Sequence, residues 1–261
     1  MIELPLRIRI HPESNFRSIS VNGRSMYMQL DSSKPFIELQ YPELYDIAIN
    51  NKCYGACPYC YIAATKQGEN YADICHKASI FFGNMDMNQR PYQVAIGGAG
   101  EPTLHPDFPE FVRVLYDLGV VPNYTTNGMH LTDVVLQATE NYVGGVALSC
   151  HPHLQKVWQK GVGILRNYTN HLNLHIIPQS INDVLDFAKI FETYYDIIDN
   201  FVLLPYQTIG FAKPIDTDTV YTKLFNYLYT LSETARNKIA FGAGFMAELQ
   251  SRAWLNVRTY E

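Results

Sequence analysis

From Tyr92 onward, short apolar runs recur about every 24–29 residues, the length of one strand-plus-helix unit. They stand at residues 44–49, 92–96, 120–125, 145–149, 172–177 and 201–204, with a weaker one at 238–241. Amphipathic stretches lie between them. Over 107–118, Phe108, Phe111, Val112, Leu115 and Leu118 share a helical face, and Gly119 marks the stop. Ser180 followed by Asp183 reads as the start of a helix over 180–194, with Ile181, Val184, Leu185, Ala188 and Phe191 inward. Residues 217–234 repeat the theme with Val220, Leu224, Phe225, Leu228 and Leu231. Strands alternating with helices imply a parallel sheet with right-handed crossovers. Six units and a weaker seventh fall short of the eight that close a barrel. The expected fold is therefore α/β, a partial (β/α)6 TIM-like barrel. A doubly wound open sheet has the same alternation and stays open at this point.

Residues 1–43 have a different texture. β-prone pieces at 6–10, 16–21, 25–30 and 36–39 are separated by turn signals such as Asn22-Gly23. They predict a small N-terminal β-rich extension, an antiparallel layer that caps the main domain's edge or covers a barrel's open bottom. The expected division is 1–43 for this extension, 44–235 for the barrel and 236–261 for a strand/helix tail. The tail ends at Thr259-Tyr260-Glu261 without a clear helix stop, which is compatible with truncation.

Composition removes several classes. With 47% apolar residues there is ample material to offset chain entropy, so disorder is excluded. No apolar run approaches the ~18–20 residues of a membrane helix. The first residues carry Arg7 and Arg9 but no apolar signal core, so a cytoplasmic, unsecreted chain is expected. Net charge is −5, and no Lys/Arg run is longer than two, which argues against a nucleic-acid surface.

Cys53, Cys57, Cys60, Cys75 and Cys150 are the five cysteines. An odd number with three bunched together makes a poor disulfide framework and reads instead as metal or cluster ligation. The bunched three form C-x3-C-x2-C directly after the first strand of the repeat, with Gly55 supplying backbone freedom and Pro58 stiffening the second half. Soft thiolates select zinc or iron–sulfur. Structural zinc wants a closed set of four ligands. A tetranuclear iron–sulfur cluster on three cysteines leaves one iron open. Zinc on Cys57 and Cys60 with Cys75 and His76 is the alternative, and would make the chain a non-catalytic binding module; its second half lacks paired spacing.

Cys53-x3-Cys57-x2-Cys60, with Tyr59 before the last cysteine, resembles the signature of the radical S-adenosylmethionine (SAM) superfamily. The next strand runs into Gly97-Gly98-Ala99-Gly100-Glu101-Pro102, which resembles that superfamily's Gly-Gly-Glu-Pro segment, with Ala99 departing from the first glycine. The resemblance covers about 44–205. It implies that Cys53, Cys57 and Cys60 are the catalytic, metal-binding residues, holding three irons of a [4Fe–4S] cluster, with Tyr59 beside the cofactors. It gives the amino group of SAM to Ala99, Gly100 and Glu101. Thr126 and Asn127 belong to a Thr-Asn-Gly that closes the third strand. Ser149 is placed for the SAM ribose or carboxylate, Gln179 follows the fifth strand beside Ser180 and Asn182, and Leu204 offers an apolar contact to adenine. The implied partners are an external flavodoxin- or ferredoxin-like electron donor and a peptide or protein substrate. A glycyl-radical activase and a nucleotide- or RNA-modifying enzyme are the alternatives. No cysteine follows Cys150, so C-terminal auxiliary clusters are not expected. Cys150 and His151 border the substrate side in this reading, Cys150 as a small apolar filler or, in the alternative, as a donor of a hydrogen atom to a radical; His105 satisfies a loop, and Cys75 is structural.

Overall fold

The computed structural model describes residues 6–11, 16–21, 24–29, 41–245 and 249. Strands β1 (Arg7–His11), β2 (Phe16–Val21) and β3 (Arg24–Gln29) pair antiparallel in that order. The Asn22-Gly23 turn, the strand expected at 36–39 and the end of the tail lie outside the described residues. This small sheet sits under the N-terminal ends of the main strands. Arg7 donates to the carbonyls of Pro91 (2.8 Å), Met87 (2.6 Å) and Arg90 (2.6 Å), and both Arg7 and Arg9 lie over the Tyr92 ring, at 4.8 and 4.5 Å. Of the two places foreseen for the extension, it takes the bottom of the barrel.

The main domain runs β4 (Leu44–Ile47), α1 (Ile74–Gly83), β5 (Gln93–Ile96), α2 (Phe108–Asp117), β6 (Val121–Thr126), α3 (Asp133–Tyr142) and β7 (Gly145–Ser149). It continues through α4 (Gln155–Leu165), β8 (Leu172–Ile176), α5 (Ile181–Tyr194), β9 (Asn200–Leu203), α6 (Thr217–Thr230), α7 (Glu233–Arg236) and β10 (Ile239–Phe241). All seven strands pair parallel, and their spatial order is their chain order, β4 to β10. A doubly wound sheet reverses direction at a switch point; this one never does. It curls as a partial barrel of six βα units with a seventh strand.

Burial alternates along these strands. Val94 and Ile96, Val146 and Leu148, Leu172 and Leu174, and Phe201 and Leu203 are buried beneath the helices. The residues between them are partly open: Gln93 and Ala95, Ala147, Asn173 and His175, and Val202. Helices thus cover only the convex face, and the concave face mixes polar side chains with small and apolar ones. Facing them, α2 buries Phe108, Phe111, Val112 and Leu115, each side chain contributing about 1.5–3 kcal/mol.

Two helical readings need correction. In α5 the inward stripe is Val184, Phe187 and Phe191, while Ile181 and Leu185 stand 44% and 48% exposed. The stripe is narrower than the expected one and rotated, because Phe187 fills the space against Phe201 and Tyr227. The helix expected over 217–234 breaks at Leu231, whose backbone is extended; Ser232 then caps α7 by accepting from the Ala235 N–H.

Candidate active site

A cavity of about 510 Å³ opens at the C-terminal edge of the main sheet. Into it come Cys53, Cys57, Tyr59 and Cys60 from the loop after β4, Ala99, Gly100 and Glu101 from the loop after β5, and Thr126 and Asn127 from the end of β6. Ser149 ends β7, and Leu204 follows β9, on the same cavity. Of the residues the resemblance assigned to the cluster and to SAM, Gln179 is not on its wall, nor are Ser180 and Asn182 beside it. The Gln179 side chain hydrogen-bonds Tyr59, and its N–H donates to Asp183 at the start of α5 (3.0 Å). Asp46, His175 and Ile177 line the cavity and were not anticipated.

The cysteine loop is tied down at several points. Cys53 N–H donates to Thr65 O (2.9 Å), and Glu101 N–H donates to Lys52 O (2.8 Å). A Cβ on Gly100 would collide with Asn50 Oδ1 and stand 2.7 and 2.8 Å from the Lys52 carbonyl oxygen and nitrogen, so the two loops meet with no room for a side chain. Gly210, with φ +64°, packs equally close to the Cys60 and Tyr61 carbonyls, and Phe211 N–H donates to Cys60 O (2.9 Å). Gly55 works differently from expectation. The left-handed backbone falls on Ala56 (φ 49°), and the missing side chain of Gly55 leaves space for Cys53 Sγ and Asn127 Nδ2, each 3.3 Å from where its Cβ would be.

The loop after β7 holds the cysteine loop from the far side. His153 Nε2 donates to Gly55 O (2.9 Å), and the Tyr59 hydroxyl bonds His151 Nδ1 (2.8 Å). The Tyr59 ring lies 5.7 Å from that of His151 and 6.1 Å from that of His153. Burial, with His153 adjacent, pulls the pKa of His151 down to about 4.

Glu101 is enclosed. Its Oε1 accepts from Thr103 Oγ1 and Thr126 Oγ1 (2.7 Å each) and from Thr103 N–H (3.3 Å), and its Oε2 accepts from Asn127 N–H (2.7 Å). Its own carbonyl accepts from Asn50 Nδ2 (2.8 Å). Burial raises its pKa, and these four donors work against that rise. The carboxylate is thus a knot joining the ends of β5 and β6, with a lone pair of Oε2 left over on the cavity side.

All three loop cysteines are free thiols. Burial and then the neighbouring Cys53 and Cys60 push Cys57 up to about 12, and burial raises Cys53. Sulfur acceptors are matched by N–H donors: Gly55 N (3.3 Å) and Asn127 Nδ2 (3.5 Å) to Cys53 Sγ, and Ala64 N (3.4 Å) to Cys60 Sγ. Three thiols crowded on one loop, two of them with N–H donors suited to thiolates, fit a multiply charged metal centre, which deprotonates its thiols outright. Among the described residues no three His, Cys, Asp or Glu side chains stand arranged around a single ion; thiolates on separate irons of a cluster do not need to meet at one point. Cys75 is on α1, off the cavity wall, with Sγ 4.0 Å from Asp107 O. His105 is buried and satisfied by Tyr71 O and Asp107 N–H (3.0 Å each). Cys150 packs in the core.

No protein-family model matches the sequence. Among solved structures, SuiB of Streptococcus suis bound to precursor peptide SuiA superposes with a TM-score of 0.65 at 16% identity, over 85% of this chain and 54% of SuiB. SuiB bound to S-adenosylmethionine gives 0.58 at 16% identity over 77% and 50%. The anSMEcpe structure with bound AdoMet and the Cp18Cys peptide gives 0.56 at 13% identity over 77% and 63%. At these identities the likeness shows the fold: the chain shares the architecture of structures solved with AdoMet and with peptides, an α/β fold as the strand repeat led one to expect. A curated relative, 7,8-dihydro-6-hydroxymethylpterin dimethyltransferase of Methanocaldococcus jannaschii, is 28% identical over 92 residues. The chain spans about half the length of SuiB and 18% of that relative. No helix of the described residues is long and apolar enough to cross a membrane.

Proposed function

We propose that this protein is a radical SAM enzyme whose centre is the cavity at the C-terminal edge of the sheet. The observation that carries the reading is the meeting, in one cavity, of the Cys53, Cys57 and Cys60 thiols with the glycine-rich end of β5. Cys53, Cys57 and Cys60 would hold a [4Fe–4S] cluster through three of its irons. When bound, such a cluster would supply the one electron that cleaves the sulfonium of SAM into methionine and a 5′-deoxyadenosyl radical for hydrogen abstraction.

The remaining work belongs to the chain. Ala99 and Gly100 present main-chain groups to the SAM ammonium, since side chains there are small or absent. Glu101 acts through position: its carboxylate fixes Thr126 and Asn127, and Asn127 in turn donates to Cys53 Sγ. Ser149 offers a hydroxyl to the ribose or carboxylate, and Leu204 an apolar wall to adenine. Tyr59, 8% exposed, keeps water from the cysteine loop more completely than Tyr61, at 39%. Gln179 and His151 hold Tyr59 in place. The electron comes from an external flavodoxin- or ferredoxin-like donor in a reducing cytoplasm. A peptide or protein side chain is the substrate class favoured by the two similar folds that carry peptides.

Anaerobic reconstitution followed by reduction and SAM addition tests this. The expected result is about four irons per chain and 5′-deoxyadenosine by mass spectrometry, both lost in Cys57→Ala. Zinc bound at one per chain, with no iron taken up, refutes the proposal.

A further inference from the structure

Below the cysteine-lined cavity, toward the N-terminal ends of the same strands, the concave face encloses a second one of about 640 Å³. Barrel interiors are ordinarily filled by bulky branched side chains. Here the wall carries small residues, Ala95 and Ala147, and amides, Gln93, Asn123, Asn173 and Asn200, beside Met26, Tyr124, Val146 and His171. The two cavities share Ala95, Thr125 and His175, so they are contiguous across that waist.

The amides are partly paired. Asn123 Nδ2 donates to Gln93 Oε1 (2.8 Å), Gln93 Nε2 to Ser25 Oγ (2.7 Å), and Asn200 Nδ2 to Asn173 Oδ1 (3.1 Å). Each carboxamide has both donors and acceptors. Among the described residues the pairing therefore leaves Asn123 Oδ1 as an acceptor on β6, Asn173 Nδ2 as a donor on β8 and Asn200 Oδ1 as an acceptor on β9. The one acid on the wall, Asp199, is met by Arg166 (3.1 Å) and by Leu172 N–H (2.9 Å). The imidazole of His175 has no hydrogen-bond partner among the described residues, and it stands in register with Ser149 and Val202. A neutral wall with leftover donors and acceptors selects against ions and for neutral groups that bring both. The volume falls in the range of small-ligand sites, about 300–1,000 Å³.

We propose that this lower chamber is a binding site for an uncharged amide edge, one carrying both N–H donors and carbonyl acceptors, with His175 meeting it at the waist. The edge belongs to a free nitrogen heterocycle or to a carboxamide presented on a peptide. That this group is the substrate of the upper cavity rests on the function proposed above; the binding itself does not.

The test is anaerobic calorimetry of the reconstituted chain with SAM, titrated with pterin, uracil and N-acetylglutamine methylamide. At least one of the three binds saturably. Binding by the heterocycles alone assigns a free small molecule; binding by the amide alone assigns a peptide side chain. Ala147→Leu, which adds bulk on the chamber wall outside the upper cavity, weakens that binding at least about tenfold, the factor ~1.4 kcal/mol represents. It leaves circular dichroism and SAM affinity unchanged. His175→Gln also weakens it. Failure of all three probes to saturate, or binding that Ala147→Leu leaves intact, overturns the proposal. If SAM does not bind but a probe does, and Ala147→Leu abolishes it, the chamber stands and the radical SAM reading falls.

Discussion

Gly100→Ala tests the idea that the cysteine loop is held by contact with the loop after β5. The new Cβ would lie 2.7 Å from Lys52 O and 2.8 Å from Lys52 N, both main-chain atoms that no side-chain rotation can move aside. Ordinary contact begins near 3.4 Å, so the loops must part by 0.6–0.7 Å. Overpacking of this kind costs about 1–3 kcal/mol. The separation also loosens two 2.8 Å hydrogen bonds, Glu101 N–H to Lys52 O and Asn50 Nδ2 to Glu101 O, at about 0.5–1.5 kcal/mol each. The sum is about 2–6 kcal/mol. For a chain of this size each kcal/mol lowers the melting temperature by about 2–4 °C, so a fall of about 4–24 °C is expected in the metal-free protein. Iron uptake falls with it, since Lys52 adjoins Cys53. Gly98→Ala is the control: Gly98 has φ +80° but nothing within 4 Å of its Cβ, so only backbone strain of about 1–2 kcal/mol applies. Scanning calorimetry of both variants and iron assays of the reconstituted proteins give the readout. If Gly100→Ala melts within about 2 °C of the parent and takes up full iron, the contact does not hold the loop.

Gly163 lies within α4 with open space around its Cβ, so Gly163→Ala raises stability by about 0.5–1 kcal/mol, read from a denaturant midpoint. Burial holds both His151 and His175 near pKa 4, below the unfolded 6.5. Between those values the unfolded chain binds more protons, so stability is full above pH 6.5 and falls as pH drops toward 4, by at most about 3 kcal/mol per histidine. Denaturant midpoints at pH 7 and 4.5 measure the loss, and His175→Gln removes one share of it. Asn127→Ala deletes a hydrogen bond to Cys53 Sγ and is expected to lower the midpoint potential of the reconstituted cluster, followed by electron paramagnetic resonance during redox titration.

Strand positions were readable because each apolar run is short and bounded, and 145–149 coincides with β7. The Ser180 cap was readable because it is local: Ser180 Oγ accepts from Asp183 N–H three residues on. The phase of α5 was not, since Phe187 is drawn in by Phe201 and Tyr227, which are remote in the chain. One decisive signal was present and went unread. LNLHI at 172–176 and GVALS at 145–149 alternate apolar with small or polar residues. A parallel strand covered on both faces reads as a continuous apolar run, so this alternation already excludes the doubly wound sheet and points His175 out as a cavity residue. Motif residues were found because they are contiguous in sequence. The Glu101 knot, the Gly100–Lys52 contact and the His151–Tyr59 bond join segments far apart in the chain, and no spacing rule announces them.

The one-sided cover of the sheet has an evolutionary consequence. Because packing energy resides on the helix-covered side, replacements among Gln93, Asn123, Asn173, His175 and Asn200 can retune what is recognised while the scaffold keeps its strength. Descendants of such a chain can therefore drift toward new chemistries by exchanging a few inward residues, with the interior behind them inherited unchanged.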